Sequence, residues 1–115
     1  MYPIYVGASD EQARAEVIEH WHRWRVFALE AINMTPGNPG YERVFAHLAY
    51  DAMVRDSRGV FGGPETCAGI LKRIIAVVGT THIGLTFYFG GLGQDKVLKS
   101  MERCAKLVLP ALRSK

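Results

Sequence analysis

Two glycine turns carry the residues that could do chemistry. The first is Gly62-Gly63-Pro64-Glu65. Glycine-rich backbone that opens a helix leaves N–H groups converging on one point, and the helix dipole adds positive potential there, so this turn can cradle a phosphate. The same residues also suit an ordinary strand-to-helix junction, where glycine supplies backbone angles that other residues avoid. The second turn is Phe89-Gly90-Gly91-Leu92-Gly93, which stops an alternating apolar run and precedes a helix. A third cluster is His20-Trp21-His22-Arg23-Trp24-Arg25. His20 and His22 point to different faces of a helix and cannot chelate one metal together. Arg25 is spaced to stack on Trp21. A core aromatic pair with a basic exposed side accounts for this cluster without a ligand. Cys67 and Cys104 both fall on apolar helical stripes and read as small, reduced, buried side chains. No glutamate–histidine pair, serine triad or P-loop pattern appears, so no catalytic residue and no metal ligand is assigned.

The elements that must position these turns follow from periodicity. Tyr2–Val6 is aromatic and β-branched and reads as a strand. Ser9 with Gln12 forms a capping box, and Asp10 and Glu11 place negative charge in the first turn of a helix. That helix should run from Asp10 to Ile32, with Ala13, Val17, Trp21, Trp24, Ala28 and Ile32 on its apolar face. Thr35-Pro36-Gly37-Asn38-Pro39-Gly40 breaks it. A second helix is expected over Tyr41–Val54, burying Val44, Phe45, Leu48, Ala49, Ala52 and Met53. Val60 and Phe61 suggest a very short strand. Pro64 suits the first position of the next helix, whose stripe is Cys67, Ile70, Leu71, Ile74, Ile75 and Val78, with Gly79 as its C-cap. Thr81–Phe89 alternates like a strand. Ile83, Leu85, Phe87 and Phe89 share one face; His82, Gly84, Thr86 and Tyr88 share the other. A last stripe comprises Val97, Met101, Cys104, Ala105, Val108 and Leu112. Strands separated by helices imply an α/β fold with a parallel sheet, of about four helices and two or three strands.

A length of 115 residues holds one domain at most, so residues 1–115 are read as a single unit. The net charge of +3 is mild and its Lys and Arg are spread along the chain, which gives no nucleic-acid footprint. No run approaches the 18 apolar residues of a membrane span and no basic-apolar leader opens the chain, so a cytoplasmic location without membrane partners is expected.

Several segments resemble the C-terminal part of the bacterial-luciferase-like flavin-dependent monooxygenases. They are Gly63-Pro64-Glu65-Thr66, Thr81-His82-Ile83, Phe87-Tyr88-Phe89-Gly90-Gly91-Leu92, Val97-Leu98-Lys99-Ser100-Met101-Glu102 and Leu109-Pro110-Ala111-Leu112. The similarity spans residues 60–112, and Tyr2–Ala13 looks like a later barrel strand with its helix. The resemblance implies a portion of a TIM barrel and a cofactor, FMN or F420. It implies cofactor-binding roles for Gly62, Gly63, Phe89, Gly90 and Gly91, because the C-terminal ends of barrel strands form the active-site face. In such a barrel His82, Gly84, Thr86 and Tyr88 would point inward and the apolar set toward the helices. His82 also reads as a strand-start residue facing solvent. A full barrel needs about 200 residues or more, so the resemblance covers only its last third. Two functions follow. One is part of a flavin-dependent monooxygenase acting on a small-molecule substrate once assembled with the missing barrel portion. The other is a non-catalytic remnant working as a homo-oligomeric or partner-binding module.

Overall fold

The computed structural model describes residues 2–79 and 82–113. Three parallel strands form its sheet: β1 (Tyr2–Val6), β2 (Val60–Gly62) and β3 (Leu85–Thr86), in the order β2-β1-β3. Ile4, Tyr5 and Val6 of β1 pair with Val60, Phe61 and Gly62 of β2. On the other side, Tyr2 and Pro3 pair with Leu85 and Thr86 of β3. The α/β class and the parallel sheet expected from the sequence are both present.

The helices are α1 (Asp10–Ala31), α2 (Tyr41–His47), α3 (Tyr50–Arg55), α4 (Pro64–Val78) and α5 (Gln94–Arg103). A π-helical turn over Cys104–Val108 joins α5 to α6 (Leu109–Arg113). Local signals set several of these boundaries. Ser9 Oγ accepts the Gln12 N–H at 3.1 Å, as the capping box requires. Pro64 opens α4, and Gly79 closes it with φ 70°. The break after α1 falls where the prolines and glycines of 35–40 place it.

Alternation along β1 divides the core into two layers. Ile4 and Val6 face Cys67, Ile70, Leu71 and Ile74 of α4, together with Cys104 and Val108. Tyr5 faces the opposite way, toward Val17 and Trp21 of α1, Tyr50 and Met53 of α3, and Phe61. Helices therefore cover both faces of the sheet. Right-handed crossovers explain this: the chain steps from β1 to β2 through α1–α3, then back across β1 to β3 through α4, so the two connections lie on opposite faces. A barrel portion is not identified among the described residues. Successive barrel strands are neighbours and barrel helices form one outer ring, whereas here β1 lies between β2 and β3 and the layers are doubly wound.

Other expectations shift for local reasons. The helix over Tyr41–Val54 breaks at Leu48–Ala49. Side chains supply donors to the carbonyls there: Trp21 Nε1 to Leu48 O at 2.5 Å, Arg25 to Phe45 O at 2.6 Å and Arg58 to His47 O at 2.6 Å. Arg25 accordingly sits over the Phe45 ring, 3.7 Å from its centroid, rather than on Trp21. Trp21 stacks on Trp24 instead. Leu29 is buried while Ile32, the C-cap of α1, is 66% exposed. Ile75 and Val78 are exposed on α4, as are Met101 and Ala105 near the C-terminus. On α5 the fully buried position is Ser100, not Met101. The π turn then carries Cys104 and Val108 into the α4-side core.

The expected strand over 81–89 is reduced to Leu85–Thr86, and Thr81 lies outside the described residues. Ile83, Leu85 and Phe87 pack against the α4-side core, whereas Phe89 turns into the α1-side core. The shared face for these residues thus ends where the strand ends. Among the described residues, no helix is long and apolar enough to cross a membrane.

Candidate functional site

The loops after β1 and β2 meet at the N-termini of α1 and α4. Here Asp10, from the first turn of α1, reaches across the sheet edge. Its carboxylate accepts the Gly63 N–H at 2.7 Å and the Thr66 hydroxyl at 2.8 Å. Gly62 has φ 147°, and a Cβ on it would lie 2.7 Å from the Asp10 carboxylate, so only glycine lets the two segments approach. The Gly62–Gly63 turn does attract an anion to the start of α4, and that anion is a side chain of the protein. A phosphate does not fit beside it: the Gly63 N–H already donates to a carboxylate, and two like charges would be forced together. Ser9, Asp10, Gly63, Thr66 and Lys72, with Leu107, line an open groove of about 770 Å³ at this edge.

The second glycine turn lies elsewhere. Phe89 is 3% exposed, edge-on to Trp21 at 5.5 Å between centroids and tilted against Phe61 at 5.9 Å. It is a core aromatic with one edge toward a surface groove. Gly90 has φ 58° and passes close to α1; a Cβ there would fall 1.9 Å from the His20 carbonyl oxygen. The His20 Nδ1 lies 2.8 Å from Gly90 O. Gly91 follows at φ 74°. Tyr88, Phe89 and Gly90 line a groove of about 790 Å³ with Trp24, Phe27 and Arg23. The two turns do not converge. One meets α1 at Asp10 and the other at His20, about 15 Å further along at 1.5 Å per residue. Among the described residues, no cluster of three His, Cys, Asp or Glu is placed to hold a metal.

A doubly wound sheet binds ligands beyond the C-terminal ends of its strands, where the chain's direction of winding reverses. Here that place lies between β1 and β3. It is filled by α5. Among the described residues, β3 pairs only with Tyr2 and Pro3. Further along β1, the Val6 N–H donates to Ser100 Oγ at 2.8 Å, and Arg103 donates to Val6 O at 3.3 Å. Ser100 is fully buried. Beside them Tyr5 Oη donates to Glu16 at 2.6 Å. Burial, then the Glu16 carboxylate, pushes the Tyr5 phenol above its ordinary value of 10.0.

Periodicity gives no sign of the roles of Ser100, Arg103 and the Tyr5–Glu16 pair, and it shows Asp10 only as first-turn charge. A hydroxyl at Ser100, four residues before Cys104 on a buried stripe, was the one available signal. Each partner is at least 11 residues away in the chain, which periodicity does not reveal. Comparison with known proteins gives no match to a family model, a curated protein or a solved structure.

Proposed function

We propose that this chain is a non-catalytic, cytoplasmic α/β module that works by binding a protein surface. One observation carries the reading: the chain's own groups occupy the places where a doubly wound sheet would hold a small molecule. Asp10 takes the N-terminus of α4, and Ser100 with Arg103 takes the free edge of β1. Large apolar side chains lie exposed elsewhere, among them Phe27 at 71% and Tyr88 at 62%. Exposed apolar groups gathered beside one groove mark interaction surfaces.

A second reading is favoured by the groove at Phe89 and Gly90. Its aromatic lining of Trp24, Phe27 and Tyr88, with Arg23 and Glu30 nearby, suits a flat aromatic ring system. On this reading the chain is part of a flavin-dependent oxidoreductase of the luciferase-like kind, using FMN or F420 with a barrel portion supplied by another chain. The Asp10 carboxylate at Gly62–Gly63 opposes it, so no reaction step is assigned to these residues.

Titration of the purified chain with FMN and F420, followed by flavin fluorescence, separates the two. The module reading expects no saturable binding up to hundreds of micromolar. Saturable binding that Tyr88→Ala weakens would replace it with the flavin reading.

A further inference from the structure

We propose that β3 is the surface on which a second copy of this chain docks, in antiparallel register about a two-fold axis. The inference rests on the module reading above and names its partner.

The sequence contains a longer strand than the single chain uses. Residues 82–89 alternate as a strand should, yet only Leu85 and Thr86 adopt one. Strands in globular proteins are usually about 5–6 residues long. β3 is also the end of the sheet, with β1 as its one neighbour among the described residues. Tyr2 N–H donates to Gly84 O at 2.9 Å. Peptide groups alternate in direction along a strand, so the N–H and C=O of Leu85 face away from β1. An added strand supplies a partner there and lengthens β3 within residues 83–88, short of Phe89, which stays in the α1-side core.

Charge points to a second copy as the occupant. Sheet edges in soluble proteins are normally protected by lysine, other charges or proline. From Ile74 to Gln94 this chain has no Asp, Glu, Lys, Arg or Pro. Each copy carries a net charge of +3, which opposes self-association everywhere else. Two β3 strands can therefore pair without a charged side chain from either strand entering the seam.

Side-chain faces agree with this geometry. A two-fold axis normal to the sheet keeps equivalent faces on the same side. Ile83, Leu85 and Phe87 of both copies then form one apolar face continuous with the two α4-side cores. Tyr88, 62% exposed, lies beside the groove of Trp24 and Phe27 and meets the partner on the other side. The product is a closed two-fold dimer, the commonest form of symmetric assembly.

The test uses the full 115-residue chain. Sedimentation equilibrium should give a dimer at micromolar concentration. Amide exchange at residues 83–88 should slow as concentration rises. Tyr88→Lys and, separately, Thr86→Lys should each raise the dimer dissociation constant at least tenfold while the circular dichroism spectrum stays folded. Leu98→Lys, at an exposed position on α5, should leave the dimer intact. A monomer that binds no FMN overturns this inference alone and leaves the module reading with a different partner; saturable FMN binding overturns the module reading itself. A dimer that survives both lysine variants in folded form, or one that Leu98→Lys dissociates, places the contact elsewhere and overturns the β3 assignment. So does exchange at 83–88 that slows only when another protein is added.

Discussion

The two sides of β1 are finished in different ways. Toward β2 every described pair is a backbone pair, Ile4 with Val60 through Val6 with Gly62, and Gly7 N–H continues the ladder to Gly62 O at 2.8 Å. Toward β3 the ladder stops at Pro3, and α5 supplies a hydroxyl and a guanidinium for Val6. The first side is a buried seam between two cores. The second is a short strand and a side-chain patch at the edge of the sheet. Backbone pairing needs another strand with matching alternation, while side-chain pairing needs only one polar residue at the right depth. The open side is therefore the one able to accept something new.

The largest effect should come from the closed side. Phe61 stacks on Tyr50 at 4.9 Å and lies against Trp21 and Phe89, so it joins β2 to α1, α3 and the turn after β3. Phe61→Ala should cost about 3–5 kcal/mol, as buried aromatic truncations do. Urea denaturation with an unchanged m-value measures it. A loss near 1 kcal/mol would mean that the α1-side core does not depend on this seam.

Ser100→Ala comes next. It leaves the Val6 N–H buried without its acceptor, which should cost about 1–3 kcal/mol. Ser100→Thr keeps the hydroxyl and should recover part of that loss. Equal destabilisation by both would locate the effect in packing and not in the hydrogen bond, and would remove one half of the comparison.

Leu85→Ala should cost less, about 1 kcal/mol, because Leu85 is only half-buried on a two-residue strand. If β3 is covered by a second copy, the cost should grow with protein concentration. A concentration-independent loss of about 3 kcal/mol would show that β3 is as firmly integrated as β2.

This contrast also describes what could be read in the sequence. The start of α1, the proline and glycine of α4 and the break at 35–40 depend on neighbours a few residues apart, and all were legible. The break at Leu48–Ala49 was not, because its carbonyls are served by Trp21, Arg25 and Arg58 from other elements. Asp10 shows the same limit at the candidate site. Its charge was apparent, but its partners Gly63 and Thr66 become neighbours only after the sheet forms. The strand order had the same origin. Alternation shows that a strand exists, and the helices packed on each face decide where it lies. The pattern at 82–89 was correct as a pattern and described more strand than the single chain displays.

The two thiols give the smallest effect at neutral pH, and it differs between the seams. Cys67 lies under the β1–β2 seam, 3.5–3.7 Å from the carbonyl oxygens of Tyr5, Val60 and Gly62. Burial, with Cys104 and Asp10 adding to it, pushes its thiol up to about 12. Cys104, by the π turn, is also raised by burial. A raised acid binds its proton more tightly in the folded state than in the unfolded one. Its contribution to stability is complete below the ordinary thiol value and is lost as pH rises toward the folded value. For Cys67 that window opens near 9 and extends toward 12. The wild-type protein should therefore show no thiol-dependent change in stability between pH 6 and 8, then lose stability from pH 9 upward. Tyr5 and Tyr50, both raised by burial, act in the same direction. The difference between wild type and Cys67→Ala isolates the thiol: the variant should be less stable at pH 7 and fall less steeply above pH 9. Urea midpoints at pH 7, 9, 10 and 11 measure both slopes. Parallel slopes would mean that the thiolate finds solvent in the folded state, and that the β1–β2 seam is no more closed than the side facing β3.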